Sequence, residues 1–313
     1  MPSEAFNAVA DWLRQNLRSS ESDLVAEREA MAQYAAAYRP LFGVADEPAP
    51  VGQPGSYVMT PTACRDDVVV LHIHGGGFRS GNAGLLRLVS AQLAADTRAR
   101  IVLPEYRLAP ENPFPAAIDD CMEMFDYAAT LAPRIVVAGH SAGANLALAV
   151  LLRTVGDERA AGGVLFSGVY DLRPERFERG SWVERASSEL VLTHEGGLSM
   201  HHDYLAGRSA TDPLVSPLLA DLTGLPPLFL QAAGKERLLD DSLMLATAAA
   251  QAGVHVELEI WPDMFHDWTA AATMPEATEA LSRAASFIDR VASGRIGKPA
   301  LSDGVTLQHR PPR

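Results

Sequence analysis

From residue 57 onward, short continuous apolar runs alternate with stretches of helical spacing, and this rhythm restricts the chain more than any other feature. The runs are 68–73, 101–104, 135–138, 164–166, 228–231 and 254–260. Most are continuous rather than alternating, the pattern of parallel strands covered on both faces. Between them, helices are expected near 83–97, 115–130, 143–154, 240–252 and 276–293. Strands that alternate with helices in this way build a doubly wound α/β sheet. Residues 1–40 read as helical: Phe6, Val9, Ala10, Leu13 and Leu17 fall at helical spacing, and 24–38 is rich in Ala and Glu. Pro- and Gly-rich punctuation then runs from Pro40 to Gly55.

One interval breaks the rhythm. Residues 172–210 are polar and contain no clear strand, but Trp182, Leu190, Val191, Leu192 and Leu198 provide apolar anchors. A packed lid is expected there rather than a floppy loop. The tail from Gly294 to Arg313 is expected to be poorly ordered.

Charge and cysteine usage narrow the functional classes. Asp plus Glu number 39 against 26 Lys plus Arg, a net charge of −13. Such a surface repels phosphate backbones, which argues against a nucleic-acid partner. No apolar run approaches the ~18 residues of a membrane span. The N-terminus MPSEAFNAVADWLRQNLRSS lacks the basic and apolar regions of a secretory signal. Cys64 and Cys121 are too few for a disulfide framework and suit a reducing compartment. A cytoplasmic location without membrane contact is expected.

Residues 135–147 read I-V-V-A-G-H-S-A-G-A-N-L-A, with Gly139-His140-Ser141-Ala142-Gly143 forming G-x-S-x-G. The motif lies between a buried-type strand and a helix former, the setting of a nucleophile elbow. There the serine occupies a tight strand-to-helix turn, and the helix N-terminus directs N–H groups and partial positive charge toward it. Residues 68–80 read V-V-V-L-H-I-H-G-G-G-F-R-S. Acyl transfer creates an oxyanion that needs close backbone donors, and consecutive glycines leave them unobstructed. Gly76 and Gly77, with the N–H of Ala142, are the expected oxyanion hole, and His74 is expected to orient the loop. A phosphate-binding loop fits poorly, because neither G-x-G-x-x-G nor a following Lys-Ser/Thr is present.

In this fold the serine is followed first by the acid and then by the histidine. Of the later histidines, His266 stands between the last strand and the last helix in W-P-D-M-F-H-D-W, where a loop can reach the ligand-binding edge of the sheet. It is the expected base. His255 belongs to the 254–260 run, and His309 lies in the tail. His201-His202-Asp203 is unsuited to metal, because adjacent residues point apart and no i, i+4 partner follows. No metal site is expected. After the 228–231 run the chain reads A-A-G-K-E-R-L-L-D-D-S. Glu236 in the loop is the expected acid. Asp240 is the alternative acid, although Asp240 and Asp241 also suit the first turn of the next helix.

Several blocks together resemble the bacterial hormone-sensitive-lipase family of α/β-hydrolase carboxylesterases. They are His74-Gly75-Gly76-Gly77-Phe78, Y-R-L-A-P-E-N-P-F-P-A-A-I-D-D at 106–120, and the elbow with Asn145-Leu146. D-P-L-V-S-P-L at 212–218 and L-P-P at 225–227 complete the set. The resemblance covers roughly 57–291. It implies an α/β-hydrolase fold: a mostly parallel eight-stranded sheet flanked by helices, with a helical cap. On this division 1–45 and 172–210 form the cap, 46–171 and 211–293 the catalytic core, and 294–313 a tail.

The resemblance further implies a serine carboxylesterase for short- to medium-chain acyl esters, without cofactor or metal, and often dimeric. It gives Arg107 and Glu111 a bracing role beneath the site. Three positions depart from the family pattern: His140 replaces an Asp, Ala144 replaces a Gly, and Glu236 stands where the acid is usually Asp. Two other functions stand as alternatives, and the triad does not separate the first of them from an esterase. An amidase or deacetylase of a small metabolite would share the triad and differ in the leaving group. A small-molecule receptor on a dead hydrolase scaffold typically lacks the histidine that this chain retains as His266.

Overall fold

In the central strands, successive side chains fall on opposite faces, and both faces are apolar. This is why the sequence runs are continuous. The computed structural model describes residues 2–16, 23–39 and 43–297. The strands are β1 (Val44–Pro48), β2 (Tyr57–Pro61), β3 (Val69–Ile73), β4 (Arg100–Leu103), β5 (Ile135–His140), β6 (Ala160–Phe166), β7 (Leu228–Ala233) and β8 (Val256–Trp261). They form one sheet in the order β1-β2-β4-β3-β5-β6-β7-β8. The pairs β1–β2 and β2–β4 are antiparallel and all others parallel. The fold is that of an α/β-hydrolase.

The helices are α1 (Glu4–Asn16), α2 (Leu24–Ala36), α3 (Arg87–Thr97), α4 (Ala116–Ala128), α5 (Ala142–Arg153), α6 (Ser181–Glu184), α7 (His194–Leu205), α8 (Leu239–Gln251) and α9 (Pro275–Ala292). On one face of the sheet, Val69, Leu71, Ile73, Ile135 and Val137 pack with α4, α5 and α8. On the other, Val70, Val136, Ala138, Val164 and Phe166 pack with α3 and α9. A smaller cluster joins Phe6, Ala10 and Leu13 of α1 to Phe265, Trp268 and Met274.

Each apolar run contains a strand, but two strands lie outside them. β1 falls inside the stretch read as punctuation. Its V-A-D-E-P sequence is mostly exposed and extends along the sheet edge by pairing with β2. β1 also straddles the 45/46 boundary expected between cap and core. β8 begins at Val256, so His255 stands just ahead of the strand, where its ring meets Glu257 at 2.8 Å. Leu17 and residues 298–313 lie outside the described residues.

Residues 172–210 contain a 3-10 turn, α6 and α7, and no strand. A buried ionic group anchors their start: Arg176 donates to Asp241 at 3.0 Å and lies 3.8 Å from Asp171. Phe177 packs edge-on against Trp182. α2 buries no residue and is attached by polar contacts. Arg28 donates to the carbonyls of Arg79 and Ala109 and to Glu111, and Glu27 accepts from Ser80 Oγ at 2.7 Å. The bracing expected of Glu111 therefore runs to α2. Arg107 makes its contact with Asp120, through both guanidinium and backbone N–H.

The two-sided core sets the stability. Leu71 is fully buried in the centre of the sheet, and Leu71→Ala is expected to lower the unfolding free energy by about 2–5 kcal/mol. Leu243→Ala, at a position 36% exposed, should change it by less than about 0.5 kcal/mol. Urea unfolding followed by circular dichroism measures both.

Candidate active site

The serine turn is built by backbone contact. β5 ends at His140 and α5 starts at Ala142, leaving Ser141 at φ 52°, ψ −117°. A Cβ at Gly143 would lie 2.3 Å from the carbonyl oxygens of Ile73 and His74. One at Gly139 would lie 2.1 Å from the Gly143 carbonyl oxygen. The spacing of the two glycines therefore follows from the close approach of β3, β5 and α5. Ser141 is nearly buried at 8% exposure, at the C-terminal edge of the sheet.

The glycine loop after β3 folds over the same point. Gly76 adopts φ 110°, and a Cβ there would meet the Ser80 carbonyl oxygen at 2.1 Å. Its own carbonyl accepts from the N–H groups of Arg79 and Ser80. Among the described residues, the N–H groups of Gly76, Gly77 and Ala142 donate to no protein acceptor. His74 Nδ1 donates to the Gly75 carbonyl at 2.8 Å, and its ring stacks on Tyr106 at 4.1 Å. The Tyr106 hydroxyl donates to the His74 carbonyl. Burial pulls His74 down to about 4, so the ring is neutral and braces the loop.

Three side chains meet in line. His266 Nε2 lies 3.0 Å from Ser141 Oγ, and Nδ1 lies 2.7 Å from Glu236 Oε2. The other carboxylate oxygen of Glu236 accepts the Ala233 N–H at 2.8 Å. An ionised carboxylate only accepts, so in the neutral ring Nδ1 carries the proton and Nε2 is left to accept from the serine hydroxyl. Glu236 and His266 are both buried. Burial pulls His266 down, but the hydrogen bond and charge of Glu236 outweigh it, and Glu189 and Asp267 add to the effect. The imidazole is raised to about 9. Burial pushes Glu236 above the usual carboxylate range, with the His266 contact opposing.

Asp240 does not meet the imidazole. Its carboxylate accepts from the Ser181 N–H at 2.8 Å and fastens α6 to α8. Asp241 accepts from the backbone of Tyr170 and Asp171 and from Arg176. The histidines of 172–210 also point elsewhere: His201 Nδ1 meets the Leu172 carbonyl, and His202 meets Asp203. Among the described residues, no group of His, Cys, Asp and Glu side chains could hold a metal ion.

Three nearby groups went unassigned in the sequence. Glu189 accepts from the N–H groups of Leu190, Val191 and Arg237, joining residues 172–210 to the Glu236 loop. Ser167 holds φ 48° while fully buried, and its hydroxyl accepts the Asp267 N–H at 3.2 Å. Asp267 itself pairs with His140. For Asp267 the only sequence signal was its place directly after His266. Glu189 and Ser167 gave none.

Comparisons with known proteins agree with this fold. The family model for the alpha/beta hydrolase fold matches residues 70–270. An acetyl-hydrolase of Streptomyces hygroscopicus is 37% identical over 74% of this chain and 78% of its own length. The carboxylesterase NlhH of Mycobacterium tuberculosis is 32% identical over 74% of this chain and 77% of its own. The crystal structure of an esterase from the bacterial hormone-sensitive lipase family superposes with a TM-score of 0.85 at 32% identity, covering 93% of this chain and 99% of that one. With the fold, the family model and these relatives in agreement, the chain belongs to the α/β-hydrolase family, among the esterases of the bacterial hormone-sensitive-lipase type.

Proposed function

We propose that the chain is a serine carboxylesterase in which Ser141 is the nucleophile, His266 the base and Glu236 the orienting acid. The alignment of Glu236, His266 and Ser141 at 2.7 and 3.0 Å, beside three unused backbone N–H groups, carries this reading. Ser141 Oγ attacks the ester carbonyl carbon while its proton passes to His266 Nε2. The N–H groups of Gly76, Gly77 and Ala142 receive the oxyanion, each donor contributing about 3 kcal/mol. Glu236 stabilises the imidazolium. The tetrahedral intermediate collapses, and the leaving alcohol takes the proton from His266. Water then gives a proton to His266 and attacks the acyl-enzyme, which releases the acid and restores the serine.

α1, α2 and residues 172–210 form the cap on the catalytic core, to which β1 from Val44 onward belongs through its pairing with β2. Met200 of α7 supports this reading, because its side chain lies 3.8 Å from where a Gly77 Cβ would stand. Short- to medium-chain acyl esters are the proposed substrates, as the likeness to hormone-sensitive-lipase-type esterases implies. The unpaired Cys64 and Cys121 fit a cytoplasmic setting. No helix among the described residues is long and apolar enough to cross a membrane. The likeness to the Streptomyces acetyl-hydrolase favours a second reading, removal of an acetyl group from a small metabolite.

A p-nitrophenyl ester series from acetate to dodecanoate is expected to peak at short acyl chains. A peak at dodecanoate would overturn the acyl-length reading. Ser141→Ala should lose about 10⁶-fold in kcat, and Glu236→Ala about 10⁴-fold. Asp240→Ala should lose less than about tenfold, since Asp240 does not touch the imidazole. Equal losses for the two acid variants would reject the assignment of Glu236.

The pH profile has a definite sign. Turnover needs neutral His266, so kcat/KM should climb with pH, with a midpoint near 9. Glu236→Gln removes the main influence holding the imidazole up while burial remains. The midpoint of its residual activity should therefore move to lower pH, as stopped-flow pH profiles would show.

A further inference from the structure

The elbow and the histidine loop touch at a second point. His140 directly precedes Ser141, and Asp267 directly follows His266. His140 Nδ1 donates to Asp267 Oδ1 at 2.6 Å. The imidazole of His140 is fully buried, stacked on Phe166 at 4.5 Å, whereas about a quarter of the Asp267 side chain stays accessible. Asp267 adopts φ 60°, and its N–H donates to Ser167 Oγ.

The loop carrying His266 needs such a tie. It leaves the sheet after Trp261, the last residue of edge strand β8. Among the described residues, His266 itself makes no backbone hydrogen bond. The ring bonds Glu236 at Nδ1 and Ser141 at Nε2; backbone bonds hold the loop at Met264, Phe265 and Asp267, and the Asp267 side chain adds the contact to His140. The contact joins the residue before the nucleophile to the residue after the base. It spans the gap across which the proton moves.

We propose that His140 and Asp267 form a positioning pair that sets the Ser141–His266 distance, with Asp267 serving as a second carboxylate beside the imidazolium. The inference rests on the assignment of Ser141 and His266 above. The charged and titratable groups facing His266 are Glu236, Glu189 and Asp267, with Ser141 at Nε2. Those facing His140 are Asp267, Thr269 at 3.5 Å and the His72 ring at 5.0 Å. His72 bonds Ser90 Oγ, and burial, with the neighbouring His140, holds it neutral. Among the described residues Asp267 is thus the one anion on His140, and His140 holds its carboxyl below the usual range against the opposing effect of burial.

The test uses p-nitrophenyl acetate turnover, melting temperatures and three variants. Asp267→Asn keeps the shape and an acceptor but removes the charge. Its kcat should fall between about 10- and 100-fold with KM within twofold, and its pH midpoint should move to lower pH, because one anion facing His266 is gone. His140→Asp sets two carboxylates against each other and should lose roughly 10²-fold or more in kcat. The double variant His140→Asp/Asp267→His restores a carboxylate–imidazole contact and should recover at least about tenfold over His140→Asp; histidine tolerates the left-handed backbone at 267.

Wild-type kcat and an unmoved midpoint in Asp267→Asn would overturn the pair. So would a folded double variant no better than His140→Asp. Where His140→Asp fails to fold, Asp267→Asn alone decides. A fluorophosphonate that phosphonylates an activated serine with loss of fluoride separates the levels. No labelling of the wild type would reject the triad, whereas labelling at equal rates in wild type and Asp267→Asn would reject only the pair.

Discussion

Ser141 stands at φ 52°, ψ −117°, a conformation that costs on the order of 1–3 kcal/mol and survives only where its surroundings leave no alternative. Those surroundings are backbone. The ends of β3 and β5 and the first turn of α5 approach so closely that Gly139 and Gly143 have no room for a methyl group. The apolar layers on both sides of the sheet hold these elements at that distance. The same contact places the His74 backbone against α5, so the glycine loop starts beside the serine, where a Cβ at Gly75 would lie 3.2 Å from Ser141 Cβ. The elbow, the oxyanion loop and the sheet core are thus one mechanical unit.

The electrostatics of the site depend on exclusion of water. Glu236 is fully buried and His266 nearly so, and in such a medium an unpaired charge is costly. The carboxylate is kept by the imidazole at 2.7 Å and the Ala233 N–H. The imidazole is in turn surrounded by carboxylates: Glu236 in contact, with Glu189 and Asp267 further out. All three favour its charged form, the state that follows proton transfer from the serine. Elsewhere burial acts without a partner carboxylate, and His72 and His74 are held neutral. Histidines within one sheet edge thus take different roles because their neighbours differ.

The proposed cap is joined to the machinery by apolar packing of α1 and α7, with Phe78 stacked on Tyr204 at 3.8 Å, and by polar contacts. α2 buries nothing and grips the glycine loop through Glu27 and Arg28. From the other side, Asp203 of α7 accepts from Arg79 of the same loop at 2.6 Å. Glu189 ties the segment before α7 to the backbone of Arg237, next to the acid. The segments of the proposed cap are therefore fastened to the glycine loop and to the loop that carries Glu236.

The strands carrying the site were legible because burial on both faces demands unbroken apolar runs, as at 68–73 and 135–138. The serine and glycine motifs were legible because backbone contact tolerates so few residue types there. Glu236 was separated from Asp240 as loop against helix start and by its place in the family pattern, and the structure shows why that mattered: one carboxylate faces His266, the other Ser181. β1 was unreadable because an edge strand exposes most of its side chains and takes its conformation from pairing with β2. The sequence alone determined which local backbone shapes were possible, since strands, elbows and glycine loops are set by side-chain size and polarity over a few neighbouring residues. Tertiary structure decided which distant groups meet. Glu189 reaching Arg237 across 48 positions and His140 reaching Asp267 across 127 are consequences of sheet order and loop placement, which no local pattern encodes.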